Sequence, residues 1–274
     1  MNLFKKFSFY VAILSAVAVV LFFTLPLPGT IPVLMYHFIG THEDAARESN
    51  FVSRESFEKQ MRFLKRFGYR VLSMEEYASI KAGRRKPQGR EILITFDDGH
   101  RSFKNDALPV LKRYELPAVM FLISDSVQTG GTKGYEHSLG IADVKELQKI
   151  SSISFQGHTK THPHLKELPE DQFVLELEIS KQVLEAFLGK PVNYFAYPFG
   201  ETDRRIMTAV EKAGYKLAFT TSFKKLEAIP EGPYALTRNK VSVSSDNPIV
   251  FWHHISGLHH FVKSARQKIK YGIS

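Results

Sequence analysis

The stretch of sequence that decides the fold is Glu91-Ile92-Leu93-Ile94-Thr95-Phe96-Asp97-Asp98-Gly99. Its first six residues form a compact, mainly apolar run, which predicts a strand buried on both faces, as in a parallel sheet. The run leads directly into two carboxylates and a glycine. Parallel α/β folds bind their ligands at the carboxyl ends of their strands, so we expect Asp97 and Asp98 at a functional edge.

Further apolar runs alternate with helical patterns along the chain. The predicted strands span residues 31–36, 118–123, 153–156, 192–197 and 217–221, with one more inside 235–243. Apolar residues at helical spacing predict helices at 53–67, 73–80, 103–114, 143–150, 169–188 and 203–213. This alternation predicts an α/β fold with a parallel sheet or barrel.

Composition excludes several classes of site. The chain has 274 residues, 43% of them hydrophobic and 24% charged, which is ordinary for a folded domain with a sizeable core. It contains no cysteine, so any metal must be held by histidine and carboxylate. The formal net charge of +9 is spread along the sequence without a basic helix interleaved with aromatics, so we expect no nucleic-acid partner.

The N-terminal segment predicts one transmembrane helix. Residues 7–25 carry no charge and are nearly long enough to span a hydrocarbon core, and Lys5 and Lys6 precede them on the side expected to stay cytoplasmic. The apolar run ends without small residues at a signal-peptidase spacing. We therefore predict an uncleaved, single-pass anchor in the cell membrane with the folded domain extracellular. A cleaved signal peptide and secretion form the alternative.

Two histidines follow the predicted strand at 153–156. In His158-Thr159-Lys160-Thr161-His162 the imidazoles are four residues apart, a spacing that puts both on one face of a helical turn, where they can share a metal. Neutral imidazole suits zinc and other divalent transition metals. The alternative is a polar loop that is simply rich in histidine, which the extra His164 favours.

Three further side chains at strand ends are candidates. Asp97 and Asp98 repel each other in one pocket unless a cation neutralises one of them, so the natural division is one metal ligand and one general base. The alternative is an ordinary Asp-Asp-Gly turn. His37 ends the first predicted strand, and it is either a core or loop histidine or a general acid for a leaving group.

Taken together, three segments resemble the motifs of a known family. Thr95-Phe96-Asp97-Asp98-Gly99 is similar to the first motif of the polysaccharide deacetylases, the NodB-homology domain of carbohydrate esterase family 4. The segment at 158–162 is similar to the second motif, and Phe195-Ala196-Tyr197-Pro198-Phe199-Gly200 is similar to the third. The resemblance covers about residues 30–245 and implies a distorted (β/α) barrel with N-deacetylase activity, which hydrolyses an amide C–N bond.

The chain departs from most of the family at two positions. Ala196 stands where most members have an arginine that orients the base. His37, in Val33-Leu34-Met35-Tyr36-His37, lies at the start of the domain and not near its end. Both features resemble the subgroup that deacetylates poly-β-1,6-N-acetylglucosamine. His253 or His254 is the alternative acid, and the sequence does not identify what replaces the arginine.

The resemblance implies a role for each candidate. Asp98, His158 and His162 would hold a divalent metal ion, zinc in the first place, with cobalt, nickel or iron as alternatives. Asp97 would be the catalytic base, and His37 the acid that protonates the departing amine. The backbone N–H of Phe199 would bind the oxyanion. Tyr197 would belong to the same substrate site.

The implied substrate is an N-acetylated extracellular polysaccharide, poly-β-1,6-N-acetylglucosamine in the first place. Alternatives are peptidoglycan, chitooligosaccharides and O-acetyl esters of xylan, and a further one is an inactive carbohydrate-binding homologue. The expected organisation is a membrane anchor and linker at residues 1–29, the catalytic domain at 30–247 and a basic extension at 248–274.

Overall fold

Strands and helices alternate along the chain, as the sequence predicts. The computed structural model describes Tyr10 and residues 31–41, 50–130, 137–221, 232–242, 245 and 247–256. The strands are β1 (Val33–Tyr36), β2 (Phe38–Gly40), β3 (Phe51–Ser53), β4 (Arg70–Val71), β5 (Glu91–Phe96), β6 (Ala118–Leu122), β7 (Ile153–Gly157), β8 (Tyr194–Ala196), β9 (Leu217–Thr220), β10 (Leu236–Thr237) and β11 (Asn239–Lys240). The α-helices are α1 (Arg54–Arg66), α2 (Met74–Lys81), α3 (Leu108–Tyr114), α4 (Ser124–Thr129), α5 (Ile141–Leu147), α6 (Glu170–Leu188), α7 (Arg204–Lys212) and α8 (Pro248–Ile255).

The main sheet forms a nearly closed barrel. Its strands follow the order β10-β9-β8-β7-β6-β5-β1-β11, each neighbouring pair is parallel, and β4 also pairs with β5. β10 and β11 are consecutive short strands separated by Arg238, yet they pair with the two opposite edge strands, β9 and β1. Residues 236–240 therefore bridge the two edges of the sheet, and the predicted α/β barrel is confirmed. β2 and β3 form a separate parallel pair.

Local sequence signals account for the buried strands and the helix starts. β5 and β6 are buried along their whole length, because one face of each strand packs under the helices and the other face fills the interior of the barrel. The hydroxyl of Ser53 accepts a hydrogen bond from the Ser56 N–H and caps α1, whose buried residues recur at helical spacing. A capping box formed by Ser73 and Glu76 begins α2.

Two predicted elements differ in detail from the structure. The helix predicted at 103–114 consists of a π-helical turn, Phe103–Ala107, followed by α3. Pro109 lies in the first turn of α3, directly after the π-helical turn. The strand predicted inside 235–243 is divided in two at Arg238.

The C-terminal part of the description adds a helix that the sequence did not predict. Phe251 and Ile255 of α8 are buried in the main core. The folded domain therefore continues to at least Ile255, past the predicted boundary at residue 247. Residues 257–274 of the predicted extension lie outside the described residues.

The predicted membrane segment at residues 7–25 also lies outside the described residues, apart from Tyr10, as does the linker at 26–29. Within the described ranges, no helix combines the length and the apolar character needed to cross a membrane.

Candidate active site

The end of β5 brings two adjacent carboxylates to one edge of the barrel. The N–H of Asp97 still donates to the Tyr36 carbonyl at 3.0 Å, so this residue continues the strand pairing. Asp98 then adopts a left-handed conformation, with φ of 68°. The next residue, Gly99, has φ of 71°, and a Cβ there would lie 2.8 Å from a Leu122 methyl group. This turn explains how neighbouring side chains, which point apart on a strand, serve one site.

Asp98, His158 and His162 form a group that fits a metal ion. One ligand atom from each lies within 4.8 Å of the other two. The Oδ1 atom of Asp98 is 3.3 Å from His158 Nε2 and 3.5 Å from His162 Nε2. This Oδ1 atom is buried and has no hydrogen-bond partner within the described part of the chain. A buried carboxylate oxygen facing two imidazoles is a donor set suited to a divalent transition metal.

Hydrogen bonds to the main chain orient His158. Its Nδ1 atom lies 2.7 Å from the Ala196 carbonyl oxygen, so the imidazole donates there and turns Nε2 toward Asp98. Burial would lower the pKa of His158, but the negative charges of Asp97 and Asp98 outweigh that effect and raise it. Ala196 therefore contributes its backbone to the site.

The segment between the two histidines is an irregular loop, so the predicted helical turn is wrong. Thr159 and His162 have φ of 65° and 64°, which a right-handed turn does not contain. The Glu176 carboxylate holds the loop by accepting from the N–H groups of Lys160 and Thr161, at 2.9 and 2.8 Å. Burial, followed by repulsion from His158, lowers the pKa of His162 to about 4, so this imidazole is neutral at pH 7.

Arg238 binds Asp97 through two parallel hydrogen bonds. The two guanidinium nitrogens lie 2.7 Å from the two carboxylate oxygens, and both side chains are almost completely buried. Burial would raise the pKa of Asp97, but the charges of Arg238 and His158 outweigh it and hold the pKa below its usual range. Asp97 is therefore ionised, as a general base must be.

The sequence analysis missed Arg238, which supplies the arginine that is absent at position 196. A signal for it existed, since Arg238 lies inside a predicted strand segment, 235–243, whose strands end at this edge of the barrel.

His37 lies beside Asp97, at the end of β1. Its Nε2 atom is 3.9 Å from Asp97 Oδ2, and its side chain is 16% exposed. Its Nδ1 atom is buried without a hydrogen-bond partner in the described residues. Burial lowers the pKa of His37 more than the charges of Asp97 and Asp98 raise it. The alternative acids, His253 and His254, lie on α8.

The third predicted motif forms a tight turn after β8. Phe199 has φ of 57°, and its side chain is 50% exposed at the mouth of the site, where its ring contacts the His162 ring edge-on at 4.7 Å. The Tyr197 side chain is fully buried, and its hydroxyl donates to the Tyr234 carbonyl at 2.9 Å. Tyr197 therefore lies in the core, whereas the Phe199 side chain is exposed at the mouth of the site.

The arrangement suits water-mediated hydrolysis of an acyl compound. It combines an ionised carboxylate, three side chains that could hold a cation and a histidine near that carboxylate.

Comparisons with known proteins agree with this chemistry. Residues 84–218 match the family described as polysaccharide deacetylase. YxkH of Bacillus subtilis (strain 168), which is named for the same family, is 33% identical over 215 residues, covering 78% of this chain and 72% of the relative. The poly-beta-1,6-N-acetyl-D-glucosamine N-deacetylase of Staphylococcus aureus is 28% identical over 184 residues, covering 63% of this chain and 62% of that enzyme, so this match spans less than two thirds of its length.

A solved structure is similar over most of the barrel. The Streptococcus pyogenes deacetylase PplD, in complex with acetate, matches with a TM-score of 0.71 and 29% identity, covering 83% of this chain and 99% of that chain. These similarities, together with the geometry of the site, show that the chain belongs to the polysaccharide deacetylase family and is a polysaccharide deacetylase.

Proposed function

We propose that this protein removes acetyl groups from the N-acetylglucosamine residues of an extracellular polysaccharide, poly-β-1,6-N-acetylglucosamine, in a metal-dependent reaction. The observation that carries the proposal is the pairing of an arginine-bound base, Asp97, with the adjacent Asp98–His158–His162 group. The S. aureus relative named for this substrate supports the choice of polymer.

The residues fit a divalent cation, and we propose zinc. Asp98, His158 and His162 would hold it, leaving coordination positions open for water and substrate. The unpartnered Oδ1 atom of Asp98 supports this assignment, because a buried carboxylate oxygen without a partner is otherwise costly. A cation bound there supplies Lewis acidity toward the acetyl carbonyl and makes a water more acidic.

The other residues hold and move protons. Asp97 accepts the proton of the attacking water, and Arg238 keeps the carboxylate ionised and oriented beforehand. The backbone N–H of Phe199 stabilises the negative charge that develops on the acetyl oxygen. His37 protonates the departing amine from the side of Asp97. The products are acetate and a glucosamine unit.

The protonation of His37 follows from the same geometry. Because its pKa is lowered, His37 is neutral in the free enzyme at pH 7, so it must gain its proton during the reaction. The proton that Asp97 accepts from water is the nearest one available, since the two side chains approach within 3.9 Å. The proton that leaves the water thus passes from Asp97 to His37 and from His37 to the amine.

Acetate release from three polymers tests the proposal. Purified poly-β-1,6-N-acetylglucosamine, peptidoglycan and chitooligosaccharides are each incubated with the enzyme, with and without a chelator. We expect the fastest release from the first polymer, loss of release with chelator and recovery on adding zinc. Faster release from peptidoglycan or chitooligosaccharides would refute the substrate, and chelator-resistant release would refute the metal requirement. Tight binding to a polymer without release would indicate the inactive homologue.

We also propose that the catalytic domain lies outside the cell membrane, tethered by a helix at residues 7–25. The support is the uncharged apolar run and the two lysines that precede it. Protease added to intact cells should degrade the catalytic domain and spare a cytoplasmic control protein. Full protection of the domain would refute this location, and recovery of the domain in the medium would favour a cleaved signal peptide.

A further inference from the structure

His164 has no role in the reaction described so far, yet it lies at the mouth of the site. Its ring stacks on the Phe199 ring, with a centroid distance of 3.7 Å and an interplanar angle of 6°. Its Nδ1 atom is 3.2 Å from a carboxylate oxygen of Glu201. His164 follows the metal ligand His162 by two residues. The stack therefore joins the loop of the second motif to the turn of the third.

The turn that His164 contacts is held in an unfavourable conformation. Phe199, with φ of 57° and ψ of 4°, is left-handed although it carries a Cβ atom. Such a conformation persists only where the surroundings enforce it. The Thr221 hydroxyl donates to the Phe199 carbonyl at 3.2 Å, and a Cβ on the next residue, Gly200, would lie 1.8 Å from that hydroxyl. The main chain is thus fixed from one side, and the rings of His164 and His162 hold the side chain from the other.

We infer that His164 is a positioning residue: its ring clamps Phe199 and thereby fixes the direction of the Phe199 N–H relative to the metal ligands, while Glu201 orients the imidazole. This inference rests on the proposed function, in which that N–H stabilises charge on the acetyl oxygen. Stabilisation of this kind depends on a donor that is already in place before the charge develops. A donor on a turn that moved independently of His162 would lose that advantage.

Two substitutions of one residue test the clamp. His164→Ala removes the stacked ring, and His164→Phe keeps a flat ring without the imidazole nitrogens. We expect His164→Ala to lower kcat at least about tenfold, with KM within about twofold, because the donor is misplaced and not removed. His164→Phe should restore kcat to within about threefold of the unmodified enzyme. Zinc content should stay unchanged in both, and Ile249→Ala, which removes an exposed side chain on α8, serves as the control.

Three results would overturn the inference. They are an unchanged kcat in His164→Ala, an equally low kcat in His164→Phe, and loss of zinc from His164→Ala. The last result would mean that His164 supports the metal ligands and not Phe199.

A second measurement does not depend on activity. With 4-fluorophenylalanine in place of Phe199, the fluorine NMR signal senses the ring current of the stacked imidazole. The signal should move in His164→Ala and return toward its original position in His164→Phe. An unmoved signal would show that the rings do not stack in solution. If the enzyme released no acetate at all, the proposed function would fail, while this measurement would still decide on the clamp.

Discussion

The two ends of β5 each carry a buried carboxylate bound by arginine, and only the carboxyl end belongs to the candidate active site. At the amino end, Glu91 accepts from Arg70 and Arg85 at 2.9 and 2.8 Å, and Arg70 also pairs with Glu76. Two arginines there face two glutamates. At the carboxyl end, Arg238 binds Asp97, whereas Asp98 faces the imidazoles of His158 and His162 and has no arginine or lysine bound to it in the described part of the chain.

The two ends of β5 also differ in backbone strain. Near Glu91, the positive φ angles belong to glycines, Gly83 and Gly89. At the other end, they belong to residues with side chains. Among the described residues, the non-glycine positions with positive φ are Asp98, Glu115, Thr159, His162 and Phe199, and all but Glu115 lie at the site. The comparison shows that a buried ion pair does not by itself identify a site here, whereas a carboxylate that faces imidazoles on a strained backbone marks the candidate active site.

The largest expected effect is on kcat, and it should distinguish the carboxylate at the carboxyl end of β5 from the carboxylate at the amino end. Asp97→Asn should lower kcat for acetate release about 10³-fold, because a general base is lost, with zinc content unchanged. Glu91→Gln should leave kcat within about twofold of the original, since the amino end takes no part in chemistry. Steady-state kinetics and metal analysis check both. Substantial activity in Asp97→Asn would refute the assignment of the base.

The second largest expected effect is on zinc affinity, which should depend on residues at the carboxyl end of β5 and not on residues at the amino end. His158→Ala removes a ligand, and we expect its zinc affinity to fall by about 100-fold or more, with loss of activity at low zinc. Arg85→Ala at the amino end is the matched control and should bind zinc normally. Isothermal titration calorimetry of the zinc-free proteins measures both affinities. Normal zinc binding by His158→Ala would remove this residue from the metal site.

The arginines should differ in their effect on the pH profile. Arg238→Met removes the positive charge that lowers the pKa of Asp97, so that pKa should rise, and the enzyme should need a higher pH before its base is ionised. We expect the acid limb of kcat/KM to move upward and kcat to fall about tenfold or more at pH 7. Arg238→Lys should show a smaller shift. Arg85→Gln should not shift the acid limb of kcat/KM. A shift as large as that of Arg238→Met would show that the two arginines do not differ in their effect on the base.

The smallest effect is on stability, and it belongs to the amino end. Glu91→Gln should lower the free energy of unfolding by about 1–3 kcal/mol at pH 7, because charged hydrogen bonds are lost. Burial would raise the pKa of Glu91, but hydrogen bonds from Arg85 and the Gln88 N–H, with others, lower it below 4.5. Its contribution is therefore present above pH 4.5 and lost as the pH falls through the lower, folded value. Urea unfolding across this range should show that loss, and Glu91→Gln should lack it.

Much of the fold was predictable because local patterns determine it. β5 matches its prediction residue for residue, since an apolar run that ends in charged residues defines both ends of a buried strand. The same rule located Asp98 and His158 at strand ends. The predicted zinc, substrate polymer and membrane location stay predictions.

The rest depends on contacts between distant parts of the chain. Arg238 reaches Asp97, 141 residues earlier, only because residues 236–240 bridge the sheet edges, and no local pattern encodes strand order. The predicted helical turn at 158–162 failed for a similar reason. Glu176, on another element, enforces the left-handed residues of that loop.

The bridging segment links folding to catalysis. β10 and β11 come after every other strand of the barrel in the chain, and Arg238 lies between them. Asp97 therefore receives its counter-charge only when both edges of the sheet have met. A chain that has formed β1 to β9 but has not yet closed has a carboxylate without an arginine, whose pKa is no longer held down. Competence for hydrolysis therefore depends on closure of the barrel, because only the closed barrel holds Arg238 against Asp97.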